Sequence, residues 1–178
     1  FVNLEGEEEE SNDNRSYNKA SIPKRMAVIV AGGLVNIIFG LAIYFVLILI
    51  RYMIVKNMNF VTAISYSAQS LGLLIQSMFD GIIQLFTGKV GINDMMGPVG
   101  ISEMVSQTSG IVEFIYLLSI ISISLGMTNL LPIIPLDGGK FLLLIIEAIR
   151  KKPLDKELEL KIQSYGCLLL VLFSAIIA

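Results

Sequence analysis

The pattern of apolar and polar positions switches several times along the chain, and each switch marks an element. Residues 5–19 (EGEEEESNDNRSYNK) are polar and acidic with almost no large aliphatic side chains, the composition of a solvated segment that cannot bury enough surface to fold. KASIPKR follows, with Ser21 suited to a helix N-cap and Pro23 to a first turn. Residues 26–50 (MAVIVAGGLVNIIFGLAIYFVLILI) carry no charge, and about 20 such residues cross a bilayer core as helix, so a transmembrane helix is predicted over 26–52. Gly32, Gly33, Asn36 and Gly40 recur in it at helical spacing. Such a stripe lets a second helix approach closely, and Asn36 can hydrogen-bond across the contact.

Beyond this helix the pattern loosens. In residues 61–86, Val61, Ile64, Ala68, Leu71, Ile75, Met78 and Ile82 recur at helical spacing with Ser, Gln and Asp80 between them. That is an amphipathic helix suited to lying on or dipping into a membrane surface. TGKVGINDMMGPVG then reads as a loop or short re-entrant element, so residues 53–110 are expected to form a surface helix and loop. Residues 111–136 make a second span, interrupted by Pro132 and Pro135, each of which removes a backbone donor and clashes with the preceding turn. Backbone broken at membrane depth is tolerated only where protein or water satisfies the freed groups, so the chain near Asp137 is expected to line a protein-enclosed cavity. Residues 137–161 give a shorter apolar helix and a basic loop, and 162–178 begin a third span.

Composition agrees with the pattern. The 178 residues are 54% hydrophobic and 16% charged, against about 45–50% and 25% in soluble domains. The fold class expected is all-α integral membrane: a polytopic helical bundle with a broken helix at the Asp137 motif and an amphipathic or re-entrant segment. A net charge of −2 gives no footprint for nucleic acid. A lone cysteine, Cys167, excludes an internal disulfide framework. Ten Lys and Arg fall in residues 1–25 and 137–161, against three (Arg51, Lys56, Lys89) on the other side. The positive-inside rule makes the first side the cytoplasmic side of a cell membrane. A start at Phe1 and an end inside an apolar run suggest a piece of a longer protein.

Asp137 is the acid that this pattern does not explain. A carboxylate at mid-membrane costs roughly 2.5–3.5 kcal/mol on insertion scales. From spacing alone it could cap the helix that follows, carry protons, pair with a cation inside a bundle or ligate a metal. The surrounding motif narrows the choice. Asn129, Pro132, Asp137, Gly138 and Gly139 stand as N-x-x-P-x(4)-D-G-G, which resembles the downstream motif of the site-2 proteases, the intramembrane zinc metalloproteases, in their bacterial regulator-of-sigma-factor branch. GEEEESNDNRSYNKASIPKRMAVIVAGGLVNIIFG resembles their loop and second transmembrane helix, LFTGKVGINDMMGPVGIS the segment before the third, and RKKPLDKELELKIQSYG the turn into the fourth.

The resemblance implies an enzyme that hydrolyses peptide bonds of membrane-anchored regulators, such as anti-sigma factors, inside the lipid bilayer. In it two histidines of an H-E-x-x-H helix and one aspartate bind Zn2+ while the glutamate activates water. Asp137 falls at the aspartate ligand. Asn36, Asn129 and Pro132 fall near the substrate strand, and Gly138, Gly139 and Pro135 shape the site. Three departures stand out. The chain contains no histidine, so no catalytic residue of H-E-x-x-H lies within it, and alone it is expected to be inactive. Residues 51–60, the main unassigned piece, are too few for the PDZ domains usual in the branch. The helix-two motif reads A-G-G where A-G-P is usual, and Pro135 sits one position later than its family counterpart. Two other readings fit: a non-catalytic scaffold that binds single-span helices through the same groove, and a transporter fragment using Asp137 as an ion or proton site.

Overall fold

The computed structural model describes residues 19–89, 98–152 and 155–177. Six α-helices and no strand occur among the described residues: α1 Ile22–Ile54, α2 Phe60–Phe86, α3 Pro98–Ser106, α4 Ile111–Asn129, α5 Asp137–Arg150 and α6 Lys156–Ile177. Three are long and apolar enough to cross a membrane: α1, α4 and the stretch Glu157–Ala175 of α6. The protein is therefore a polytopic helical membrane protein, the class its hydropathy pattern predicts. The acidic segment at 1–18 and the Gly-rich stretch at 90–97 lie outside the described residues.

The helix bounds follow from local chemistry. α1 begins at Ile22, earlier than the apolar run, because Pro23 fits a first turn that needs no donor. α2 is capped by Asn59, whose side chain accepts from Thr62 N–H at 2.8 Å. α3 starts on Pro98, so the end of the stretch read as loop is helical. At the head of α4, Glu113 reaches back to the N–H and hydroxyl of Ser109, both at 3.0 Å. α4 stops at Asn129 although the sequence stays apolar to residue 136. Pro132 would clash with the carbonyl four residues back and disfavours helix at Leu131.

The chain forms two compact units. One takes in the described residues up to Leu34 together with Met127–Leu168. The second, Val35–Gly126 with the end of α6, is held by α1 and α4. Ser122 Oγ donates to the Asn36 carbonyl at 3.0 Å. The Tyr44 and Tyr116 rings sit 5.8 Å apart. A Cβ on Gly40 would lie 2.5 Å from Ile123 Cγ1 and 2.8 Å from the Ser119 carbonyl. As α1 numbers rise α4 numbers fall, so the pair is antiparallel and touches at backbone distance. Of the small-residue stripe read from the sequence, Gly40 and the backbone carbonyl of Asn36 lie in this contact.

α2 joins the same unit through Tyr52, whose hydroxyl lies 3.3 Å from Ser70 Oγ and whose ring lies 5.6 Å from that of Tyr66. Leu71, Ile75, Met78 and Ile82 of the apolar stripe read from the sequence are half-buried. Ala63 and Ser67 are fully buried, whereas Val61, Ile64 and Ala68 are exposed. Small side chains let helix backbones approach, and they displace larger apolar ones from the contact. Ser67 satisfies its hydroxyl on the Ala63 carbonyl at 2.7 Å, as Ser119 does on Tyr116 at 2.6 Å, so neither buried hydroxyl goes unpaired.

Gly40→Ala is expected to destabilise the protein by about 1–3 kcal/mol through overpacking. Gly72→Ala, where an added Cβ meets nothing within 4 Å, should leave stability unchanged or raise it by up to about 1 kcal/mol. Unfolding in detergent micelles measures both.

Candidate metal-ligand site at the α4–α5 break

The site is built from the seven residues 130–136 between α4 and α5. Leaving the helix frees backbone groups that an apolar environment cannot satisfy. The break resolves this with short local bonds. Leu130 and Leu131 N–H donate to the Met127 and Thr128 carbonyls at 3.1 and 3.0 Å. Ile133 donates to Leu131 at 2.7 Å, and Leu136 to Ile133 at 2.8 Å across a turn containing the cis Ile134–Pro135 bond. At positions 132 and 135 proline removes the donor outright. α5 then starts, with Gly139 and Lys140 N–H both turned onto the Leu136 carbonyl at 2.9 and 3.2 Å.

Two glycines seat α5 against this segment. A Cβ on Gly138 would overlap the carbonyl oxygens of Leu130 and Leu131, and one on Gly139 would lie 2.7 Å from the Ile133 carbonyl. From α6, Gly166 closes the far side, its would-be Cβ 2.7 Å from the Ile134 carbonyl. Backbone therefore packs on backbone around the whole break, and all three positions exclude any side chain.

Asp137 is the first residue of α5 and is half-buried. The N-cap is Leu136, with no side-chain cap hydrogen bond, so Asp137 is not the cap that one reading of its spacing allowed. Its carboxylate sits at the positive end of the α5 dipole, which favours an anion there. Oδ2 lies 3.9 Å from the place a Cβ on Gly32 of α1 would take. Gly32 thus leaves open space beside the acid, where any larger residue would sit against it.

The structure brings Asp137, Gly138, Gly139 and Pro135 together at the break, with Asn129 half-buried at its entry and Pro132 exposed on its surface. Asn36 belongs to the second unit, where its carbonyl takes the Ser122 hydroxyl. Sequence reasoning assigned no site role to Gly32 or Gly166. Gly32 was visible as part of the small stripe; Gly166 had no local signal. Among the described residues no three His, Cys, Asp or Glu side chains are grouped to hold a metal ion, and the whole sequence has no histidine. A protein zinc site needs three or four side-chain ligands. Asp137 has the chemistry of one such ligand, and no further ligand groups with it among the described residues.

Membrane-length helices, with α4 ending before a proline-containing break and α5 starting on a half-buried carboxylate, define a polytopic helical membrane protein. Comparison with known proteins gives that class its family. The model of Peptidase family M50 matches residues 1–173, and the chain belongs to this family, the site-2 proteases. Zinc metalloprotease RasP of Bacillus licheniformis is 40% identical over 118 residues, 65% of this chain and 28% of that protein. Regulator of sigma-W protease RasP of Bacillus subtilis is 37% identical over 118 residues, again 65% and 28%. Zinc metalloprotease RasP of Shouchella clausii is 34% identical over 125 residues, 69% of this chain and 30% of that protein. The chain thus spans less than a third of the length of these relatives.

Gly138→Ala should push the Leu130 and Leu131 carbonyls out of place and cost about 1–3 kcal/mol. Gly81→Ala, inside α2 with nothing within 4 Å of the added Cβ, serves as the comparison that should not destabilise. Limited proteolysis at the break should rise only in the Gly138 variant.

Proposed function

We propose that this chain is the downstream transmembrane part of an intramembrane zinc metalloprotease that cleaves membrane-anchored regulatory proteins, with Asp137 as one of its zinc ligands. The observation that carries the proposal is the half-buried Asp137 carboxylate at the start of α5, held by glycines that admit no side chain and faced by Gly32. Membership of Peptidase family M50 and relatives named as zinc metalloproteases support it. A relative named as a regulator of sigma-W protease supports a membrane-anchored regulator as substrate.

In this mechanism Asp137 holds an anionic oxygen at a fixed place. The prolines and glycines of the break keep it there, because its backbone has no slack to move. The two histidines and the glutamate of H-E-x-x-H come from polypeptide other than these residues. Bound zinc would supply Lewis acidity and a water ionised near neutral pH. An unwound substrate segment exposes amide groups that need partners. The side-chain amide of Asn129 offers both a donor and an acceptor for them, and Pro132 lies on the exposed side of the break; Asn36, in the second unit, carries the same amide chemistry. The excess of Lys and Arg in residues 1–25 and 137–161 places those segments, and with them the Asp137 end of α5, toward the cytoplasm.

A scaffold that binds single-span helices without cutting them is the second reading, favoured by the absence of histidine from the chain. One experiment separates the two. In a complete protease carrying this segment, Asp137→Asn should abolish cleavage of a membrane-anchored reporter and lower bound zinc, with the protein still present in the membrane. Cleavage and zinc content both unchanged would remove Asp137 from the ligand set. The 178-residue chain by itself, titrated with Zn2+ in detergent, should show no tight 1:1 binding, since one carboxylate cannot make a tetrahedral shell.

A further inference from the structure

The first unit contains a long-range ion pair that the site does not use. Arg25 Nη1 lies 3.1 and 3.4 Å from the two carboxylate oxygens of Glu147, across 122 residues of sequence. Their side chains are only 12% and 14% exposed, so this is not a solvated surface pair. Arg25 stands in the opening turns of α1 and Glu147 near the close of α5. For their own helices both charges are at the wrong end: the dipole disfavours a cation near an N-terminus and an anion near a C-terminus.

The second contact between the same two helices explains the placement. Gly32, seven residues after Arg25, faces Asp137, ten residues before Glu147. α1 and the α5 segment therefore run antiparallel. At about 1.5 Å per residue the two contacts are roughly 10 Å apart along α1 and 15 Å along α5. Antiparallel docking puts Glu147 beside the positive end of α1 and Arg25 beside the negative end of α5. Charges unfavourable within each isolated helix become favourable across the pair. The arrangement rewards one direction and one register of α5 on α1, and Asp137 is at the other end of that register.

We infer that Arg25 and Glu147 are positioning residues: their ion pair fixes the register of α5 on α1 and so holds the Asp137 carboxylate opposite Gly32. The effect on catalysis rests on the reading of Asp137 as a metal ligand; the effect on geometry does not. Neither residue touches substrate or the reacting atoms in this role.

The geometric arm uses the 178-residue chain with Cys167→Ser, carrying Gly32→Cys and Asp137→Cys. Oxidative disulfide formation between positions 32 and 137 reports the register. Arg25→Glu or Glu147→Arg alone should slow it about tenfold or more, because each leaves a buried like-charge pair. The double exchange, Arg25→Glu with Glu147→Arg, should recover much of the rate, as coupled partners do in a mutant cycle. It restores the bond but places each charge at its own helix's favourable end, so recovery is expected to be incomplete. Tyr44→Cys with Tyr116→Cys, in the second unit, monitors folding and should cross-link equally in all variants. If the single reversals lose that cross-link too, Arg25→Lys and Glu147→Gln replace them and should give intermediate rates. Unchanged 32–137 cross-linking in the single variants, or no recovery in the double exchange, overturns the inference.

The second arm uses a complete protease carrying this segment. Arg25→Glu should lower zinc retention and kcat while leaving KM for a membrane-anchored reporter near its original value, and the double exchange should restore zinc. Altered cross-linking with unaltered zinc retention would keep the clamp and count against Asp137 as a ligand.

Discussion

The structure depends on a close approach of backbone to backbone. Residues 130–136 turn inside an apolar protein, and their carbonyls lie directly against the first turn of α5 and against Gly166 of α6. Only glycine permits this. A bulkier α5 start would stand off by the width of a side chain, and Asp137 would move with it. The local hydrogen bonds of the break and its two prolines serve the same end, because an unsatisfied amide in lipid costs several kcal/mol. The segment is short, backed by glycines against Leu130, Leu131, Ile133 and Ile134, and lacks the donors of its two prolines, so the position of the first carboxylate after it follows from the packing behind it.

The same principle organises the second unit at a different scale. Gly40 brings α1 onto α4 at backbone distance, and on α2 the fully buried residues are the small Ala63 and Ser67. Lipid tails are as apolar as leucine, so burying large aliphatic residues gains little in a bilayer. Dispersion between closely fitted backbones and hydrogen bonds such as Ser122 to Asn36 gain more. This is why large apolar residues such as Val61, Phe79 and Phe86 remain exposed while the contacts are made by Gly, Ala and Ser.

Much of this was legible in the sequence, in proportion to how local the cause is. Uncharged runs gave the all-helical membrane class, and Pro132 and Pro135 marked the interruption before Asp137. The end of α4 at Asn129, seven residues before the apolar run ends, was less legible, because hydropathy is blind to backbone geometry. The period of the large apolar residues marked α2 as a helix, while the burial of Ala63 and Ser67 carried no such signal because small side chains add little to hydropathy. Gly32 was read as helix packing, and its place beside Asp137 was not foreseen. The Arg25–Glu147 pair left no trace at all: two charges 122 residues apart look like ordinary flanking residues until the helices are seen to run antiparallel.

The energetics of Asp137 explain why such an acid asks for a partner. A helix N-terminus stabilises an adjacent anion by about 0.3–1 kcal/mol, up to about 2 in favourable buried geometry. An acid held at the centre of a membrane costs roughly 2.5–3.5 kcal/mol. Half-burial lowers that cost for Asp137, and the α5 dipole offsets part of what remains. Neither explains why a half-buried carboxylate should stand beside a glycine on α1. An arrangement selected for stability alone would fill that space with an apolar side chain and place an uncharged residue at the helix start. A cation shared with ligands from another helix reverses the balance, turning the anion from a cost into the strongest attraction in its surroundings. The open space beside Gly32 has a physical purpose if something charged is to enter it.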